Sequence, residues 1–177
     1  KRFLFPGIGY GGSCFPKDVK ALIKTSKEHD YEPELLSSVE NVNSRQKMVL
    51  VHSITEVLGE DLSDKKIAIW GLAFKPGTDD MRMAPSVDVI RALISAGATV
   101  SAFDPVAHDT AKQVLETNPS LKYAEDLYAA TEKADALILV TEWKEFRSPN
   151  LEELKRRMKT PLVFDGRNQY LPSVMSE

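Results

Sequence analysis

Lys66-Ile67-Ala68-Ile69-Trp70-Gly71-Leu72-Ala73-Phe74-Lys75 decides the fold, read together with the run from Ser86 to Ser95 that follows it. From Ile67 to Trp70 the chain is apolar without a break, too short for a helix and stopped by Gly71, which is how a strand buried on both faces reads. Ser86 to Ser95 returns to helical spacing, and Gly97 closes that helix. Outward from this pair the alternation continues: Thr99 to Phe103 as strand, roughly Ala107 to Glu116 as helix and Asp126 to Glu132 as helix. Ala136 to Val140 reads as strand, Leu151 to Met158 as helix and Pro161 to Phe164 as strand.

Short apolar strands separated by amphipathic helices imply a parallel sheet, because right-handed crossovers place helices on both of its faces. The expected class is therefore α/β, a Rossmann-like parallel sheet over residues 61–177. In such sheets ligands lie beyond the carboxyl ends of the strands. The segments to inspect are Gly71 to Lys75, Asp104-Pro105, Thr141-Glu142-Trp143 and Asp165-Gly166-Arg167.

Residues 1–60 read differently. As far as Lys17 the chain is loop-like, with Pro6, Gly7, Gly9, Gly11, Gly12 and Pro16 around Cys14, and its few apolar anchors favour mobility. Val19, Leu22 and Ile23 then take helical spacing behind Asp18, in a helix expected to end near His29-Asp30. A second stripe, Leu35, Val39, Val42, Val49, Ile54 and Val57, runs to Gly59 and is interrupted by Asn41, Asn43 and Arg45. A helix of roughly 25 residues with apolar positions on more than one face exceeds what one small domain covers, so a linking role and a homodimer through it are expected.

The 177 residues, 42% hydrophobic and 28% charged, suffice for a full core. A formal charge of −3 gives no basic field for nucleic acid, so any phosphate must meet locally placed cations. One cysteine makes no internal disulfide, and no apolar run reaches the roughly 18 residues of a membrane span, so a cytoplasmic protein is expected. The absence of an initiator methionine and of a signal-peptide pattern points to a piece of something longer. His29, His52 and His108 lack metal-ligand spacing.

Gly7-Ile8-Gly9-Tyr10-Gly11-Gly12 formally contains the G-x-G-x-x-G of dinucleotide sites, but no strand of usable length leads in. The acids Glu28 and Asp30 stand at a helix end instead of after a second strand. Closely spaced glycines do let main-chain N–H groups approach a sugar or phosphate. Cys14 leaves this loop just before Lys17 and Asp18. A thiol's ordinary pKa is about 8.5, and a nearby lysine and a helix N-terminus both favour the thiolate. A lone cysteine is nevertheless more often a small buried apolar residue than a nucleophile. Lys75 and Arg82 could equally be solvated loop cations, and Trp143 is read as structural.

Gly9-Tyr10-Gly11-Gly12-Ser13-Cys14-Phe15-Pro16-Lys17-Asp18 resembles the active-site signature of the UDP-glucose/GDP-mannose dehydrogenase family. Gly71-Leu72-Ala73-Phe74-Lys75, Thr78-Asp79-Asp80-Met81-Arg82 and Ala84-Pro85-Ser86 resemble the opening of that family's C-terminal domain. Thr141-Glu142-Trp143 with Glu145-Phe146, and Asp165-Gly166-Arg167-Asn168, resemble its UDP-glucose branch, so the likeness covers essentially the whole chain in order.

The resemblance implies oxidation of a sugar C6 alcohol to a carboxylate in two hydride transfers to NAD, with UDP-glucose as substrate and UDP-glucuronate as product. It implies Cys14 as the nucleophile that holds the aldehyde as a thiohemiacetal and then a thioester, and Asp18 as the carboxylate helping to activate water. By the same resemblance Lys17 and Arg82 are expected at the nicotinamide cofactor. It implies that Phe5, Gly7, Gly9, Tyr10 and Gly11 surround the glucosyl unit and that Phe74, Lys75 and Arg167 bind the nucleotide sugar. The family's NAD-binding domain, with a lysine, an asparagine and a glutamate of the catalytic site, is expected to precede residue 1. The chain alone is therefore expected to be inactive. The rival readings are a GDP-mannose or UDP-N-acetylmannosamine dehydrogenase and a non-catalytic nucleotide-binding or dimerisation module. A thiol hydrolase is disfavoured because no histidine holds a recognisable position.

Overall fold

The structure is a computed structural model that describes residues 5–175; the outermost residues of the expected opening loop lie outside them. Two helices come first, α1 (Phe15–Glu28) and α2 (Glu34–Leu58). The α/β part follows as β1 (Lys66–Trp70), α3 (Pro85–Ser95), β2 (Thr99–Phe103), α4 (His108–Leu115), β3 (Leu121–Tyr123), α5 (Leu127–Thr131), β4 (Ala136–Leu139), α6 (Leu151–Arg157), β5 (Val163–Asp165) and α7 (Pro172–Met175). A single 3₁₀ turn, Lys144–Phe146, lies between β4 and α6.

The five strands form one sheet in the order β3-β2-β1-β4-β5. Every pairing is parallel, with Ile67 opposite both Val100 and Ala136, and Leu139 opposite Asp165. This is the expected Rossmann-like sheet, and its order reverses between β1 and β4, where the topology opens a crevice at the carboxyl ends. One face of β1 carries Ile67 and Ile69 into a core with Leu50, Ile54, Ile90 and Leu93; the other carries Ala68 and Trp70 against Leu137, Phe146 and Leu154. Trp70 stacks on Phe146 at 5.2 Å between ring centroids, and its indole N–H donates to the Leu127 carbonyl.

Several expectations move. The first helix begins at Phe15, ahead of the expected Lys17-Asp18, because Pro16 fits its first turn and places Cys14 at the N-cap; Asp18 is a first-turn acid as expected. The strand expected over 161–164 forms over Val163–Asp165. Leu121–Tyr123, too short to carry a pattern, adds an edge strand that the sequence does not announce. The largest change is in α2. Of its expected apolar stripe only Ile54 is buried, while Leu35, Val39, Val42, Val49 and Val57 are exposed. The face turned inward carries Asn43, Lys47, Leu50, Val51 and Ile54 and rests on α3, where Lys47 Nζ meets Asp88 Oδ2 at 2.7 Å. α2 therefore extends from the opening loop down to the sheet and ties the two together.

Candidate functional site

A cavity of about 750 Å³ opens where the ends of β1, β4 and β5 meet the glycine-rich segment. Its walls include Phe5, Gly7, Gly9, Tyr10, Gly11 and Cys14 from that segment, and Phe74, Lys75, Glu142 and Arg167 from the strand ends. Nine of the residues marked in the sequence thus share one cavity, Glu142 being the addition. Lys17, Asp18 and Arg82 do not line it. Lys17 Nζ pairs with Asp18 Oδ1 at 3.2 Å, both side chains being well exposed. Asp18 borders an adjoining apolar hollow with Cys14, Phe15, Val19, Leu22 and Leu36. The Arg82 guanidinium grips Asp80, with Nη2 2.7 Å from Oδ2, and these hydrogen bonds raise its pKa while lowering that of Asp80.

The glycine-rich segment is not loose. Ile8 is 3% exposed and enters the sheet core. Asn43 on α2 clamps Tyr10 twice, its Oδ1 accepting from the Tyr10 N–H at 2.7 Å and its Nδ2 donating to the Tyr10 carbonyl at 3.2 Å. Gln46 Nε2 donates to the Gly7 carbonyl at 3.0 Å, and the Gly12 N–H donates to the Arg82 carbonyl at 2.8 Å. The Tyr10 hydroxyl donates to Glu40, and burial, then this hydrogen bond and the Glu40 charge, push the phenol up to about 12. Two glycines are required by what they touch. Gly12 has φ 90°, and a Cβ there would stand 2.7 Å from the Phe74 ring; a Cβ at Gly7 would run into the Arg167 guanidinium. So the segment that carries Cys14 is fitted directly against the strand-end residues.

Cys14 is the chain's free thiol and is exposed at the N-cap of α1, its Sγ 3.6 Å from Ser13 Oγ. The helix N-terminus turns unpaired N–H groups toward this end and favours negative charge there. Beyond β1, Lys75 Nζ lies 5.1 Å from the centre of the Phe74 ring. Beyond β5, Asp165 accepts from the N–H groups of Arg167, Gln169 and Tyr170, which fixes the turn. Arg167 Nη2 then reaches Glu142 Oε1 beyond β4 at 2.7 Å, while its buried Nε makes no hydrogen bond. A guanidinium with a donor unspent, a lysine over an aromatic ring and a run of glycine main chain form a wall suited to a polar, anionic ligand. An exposed thiol stands at its other side.

Sequence reasoning missed Asn43, whose signal was an Asn in a helix interior, where its side chain is of little use unless it bonds elsewhere. It also left Glu142 unassigned, although that residue stood in an inspected segment. Trp143 is structural as expected, its Nε1 donating to Asp104 Oδ2 at 3.1 Å.

Comparison with known proteins agrees with this geometry. Residues 68–172 match the profile described as UDP-glucose/GDP-mannose dehydrogenase family, UDP binding domain, and residues 1–45 match the central domain of the same family. A UDP-glucose 6-dehydrogenase from Pseudomonas aeruginosa is 46% identical over 99% of this chain, and one from Rhizobium meliloti is 45% identical over 96%. The chain spans 40% and 38% of the length of those relatives. Among solved structures, a UDP-glucose dehydrogenase from Pyrobaculum islandicum aligns with TM-score 0.81 and 36% identity over 92% of this chain and 35% of its own. A GDP-mannose dehydrogenase from Pseudomonas aeruginosa aligns with TM-score 0.75 and 27% identity over 94% and 38%. The sheet, the order of its motifs and these matches all lead to one assignment: the chain belongs to the UDP-glucose/GDP-mannose dehydrogenase family.

Proposed function

We propose that this chain is the cysteine-bearing, nucleotide-sugar-binding part of an NAD-dependent UDP-glucose 6-dehydrogenase, which oxidises UDP-glucose to UDP-glucuronate. The observation that carries the reading is that Cys14 shares one cavity with Phe74, Lys75 and Arg167. The names of the relatives at 45–46% identity favour UDP-glucose over GDP-mannose or UDP-N-acetylmannosamine. In this reading residues 1–60 are the cysteine loop and the helical linker, and 61–177 are the UDP-sugar-binding domain.

The roles follow from the residue chemistry. Arg167 and Lys75 meet the diphosphate, Phe74 packs against the ligand, and the glycine-rich main chain from Phe5 to Gly11 encloses the sugar. Cys14 Sγ adds to the C6 aldehyde carbon while the thiol proton passes to the aldehyde oxygen, so the carbon becomes tetrahedral and keeps a C–H for the second oxidation. Water, activated by Asp18, then cleaves the thioester, releasing the carboxylate and restoring the thiol. Lys17 and Arg82, both solvent-facing and near Cys14 in the chain's fold, fit the edge of an anionic dinucleotide and would hold it there. NAD, when bound, accepts the hydride of each oxidation.

The exposed apolar side chains of α2, Leu35, Val39, Val42, Val49 and Val57, support a homodimer through that helix. A cytoplasmic setting goes with the free thiol, and no helix among the described residues is long and apolar enough to cross a membrane. The chain on its own is expected to make no NADH from UDP-glucose. In an enzyme completed by an NAD-binding domain, Cys14→Ser is expected to stop UDP-glucuronate release. An unchanged yield of UDP-glucuronate from that variant contradicts the role of Cys14.

A further inference from the structure

Asp104, at the end of β2, is 1% exposed, yet it touches neither the cavity nor any cation within salt-bridge distance among the described residues. A buried carboxylate without a counter-ion is costly unless hydrogen bonds saturate it. Here they do. Oδ2 accepts from the main-chain N–H of Leu72 at 2.7 Å, from that of Ala73 at 3.1 Å and from Trp143 Nε1 at 3.1 Å. Oδ1 accepts from the N–H groups of Val106 at 3.0 Å and Ala107 at 2.9 Å. Its own N–H donates to His108 Nε2 at 3.2 Å, and burial holds the His108 pKa down, which keeps that nitrogen an acceptor.

The donors come from three different strand ends. Leu72 and Ala73 immediately precede Phe74 and Lys75 after β1; Trp143 immediately follows Glu142 after β4; Val106 and Ala107 lead from β2 into α4. A second tie crosses the same crevice, Thr141 Oγ1 donating to the Ala73 carbonyl at 2.6 Å. We infer that Asp104 is a positioning residue for the nucleotide-sugar site: one carboxylate sets the β1 and β4 loops, and through them Phe74, Lys75 and the Glu142–Arg167 pair. This rests on the ligand reading proposed above. The arrangement needs an acceptor at both positions, since each carboxylate oxygen faces donors alone. An amide in the same place must turn an NH₂ toward N–H groups on one side. The nearly isosteric Asp104→Asn therefore keeps the volume and breaks the registration.

The test is UDP binding to the 177-residue chain by titration calorimetry, alongside the amide spectrum of the β1 loop. Asp104→Asn is expected to weaken UDP binding at least tenfold and to abolish the UDP-induced shifts of the Phe74 and Lys75 amides. Leu154→Ala, a core truncation on α6 that removes no donor to Asp104, lowers the melting temperature as well but is expected to keep UDP affinity within twofold, which separates positioning from lost stability. If Asp104→Asn does not fold, Trp143→Phe replaces it, removing one of the three donors to Oδ2 and weakening binding severalfold. Unchanged affinity in the folded Asp104→Asn variant, or in Trp143→Phe where that stands in, overturns the inference alone. Absence of UDP binding by the unaltered chain overturns the ligand reading and the inference with it.

Discussion

Arg167 shows how neighbouring residues fix a single side chain at the cavity wall. Asp165 fixes its backbone, Glu142 takes one end of the guanidinium, and Gly7 leaves room for it to pass. Its Nε, buried without a partner, is the kind of unsatisfied donor that folded proteins retain for a purpose. Arg167→Ala is expected to weaken UDP-glucose binding by about 1.5 to 3 kcal/mol through loss of charge-assisted hydrogen bonds. Calorimetry giving equal affinity would place the arginine outside the site. Tyr10 gives a pH signature. Its folded pKa, about 12 against an ordinary 10.0, lies above the unfolded value, so the neutral phenol is favoured in the fold. That contribution is fully present below pH 10.0 and is lost as pH rises through about 12. Thermal melts of Tyr10→Phe should accordingly lose less stability over this window than the parent, and an identical alkaline limb would count against the Tyr10–Glu40 bond. At this scale the sequence was most informative where residue types are restrictive. A glycine-rich run ending in cysteine and the strand-end segments pointed to this region, and the family resemblance singled out nine residues that line the cavity. The sequence pointed to the segments of Glu142 and Asp104 without giving either a role, and it read Asn43 only as a break in the α2 stripe, because the importance of all three lies in partners distant in the chain.

The element that joins these parts is α2. Its register is set by a mixed face, apolar at Leu50, Val51 and Ile54 against the sheet and polar at Asn43 and Lys47 near the loop and α3. Hydrophobic periodicity could not reveal this, because the buried lysine and asparagine are counted as solvent-facing, while five apolar residues of the expected stripe face outward. The Lys47–Asp88 pair is asymmetric: the Lys47 side chain is 10% exposed and that of Asp88 is 44% exposed. Water can solvate Asp88 if Lys47 is removed, but not Lys47 if Asp88 is removed. Asp88→Asn is therefore expected to destabilise the fold by about 1 to 3 kcal/mol, and Lys47→Met by less than about 1 kcal/mol. Denaturant unfolding checks both; equal costs would show that the ammonium escapes to water. Strand β3 and the altered start of α1 were hidden for a different reason. A three-residue edge strand carries no period, and a helix start set by Pro16 depends on one residue.

For the molecule as a whole, the parallel order β3-β2-β1-β4-β5 decides where chemistry can occur. Alternating short apolar strands and amphipathic helices made that sheet legible, and with it the end of the sheet at which the cavity opens. What the pattern of elements could not supply was the docking of the cysteine segment onto that end. That depends on Ile8 entering the core, on the Asn43 clamp and on glycines at the two contact points. The account's central claim is that Cys14 and the strand-end residues form one nucleotide-sugar site. Because the chain has one cysteine, and it is exposed, its rate of alkylation by iodoacetamide reads that site alone. Saturating UDP-glucose is expected to slow alkylation of Cys14 at least tenfold, and to protect it far less in Arg167→Ala at the same concentration. An unchanged rate, with UDP-glucose shown by calorimetry to be bound, would contradict the claim.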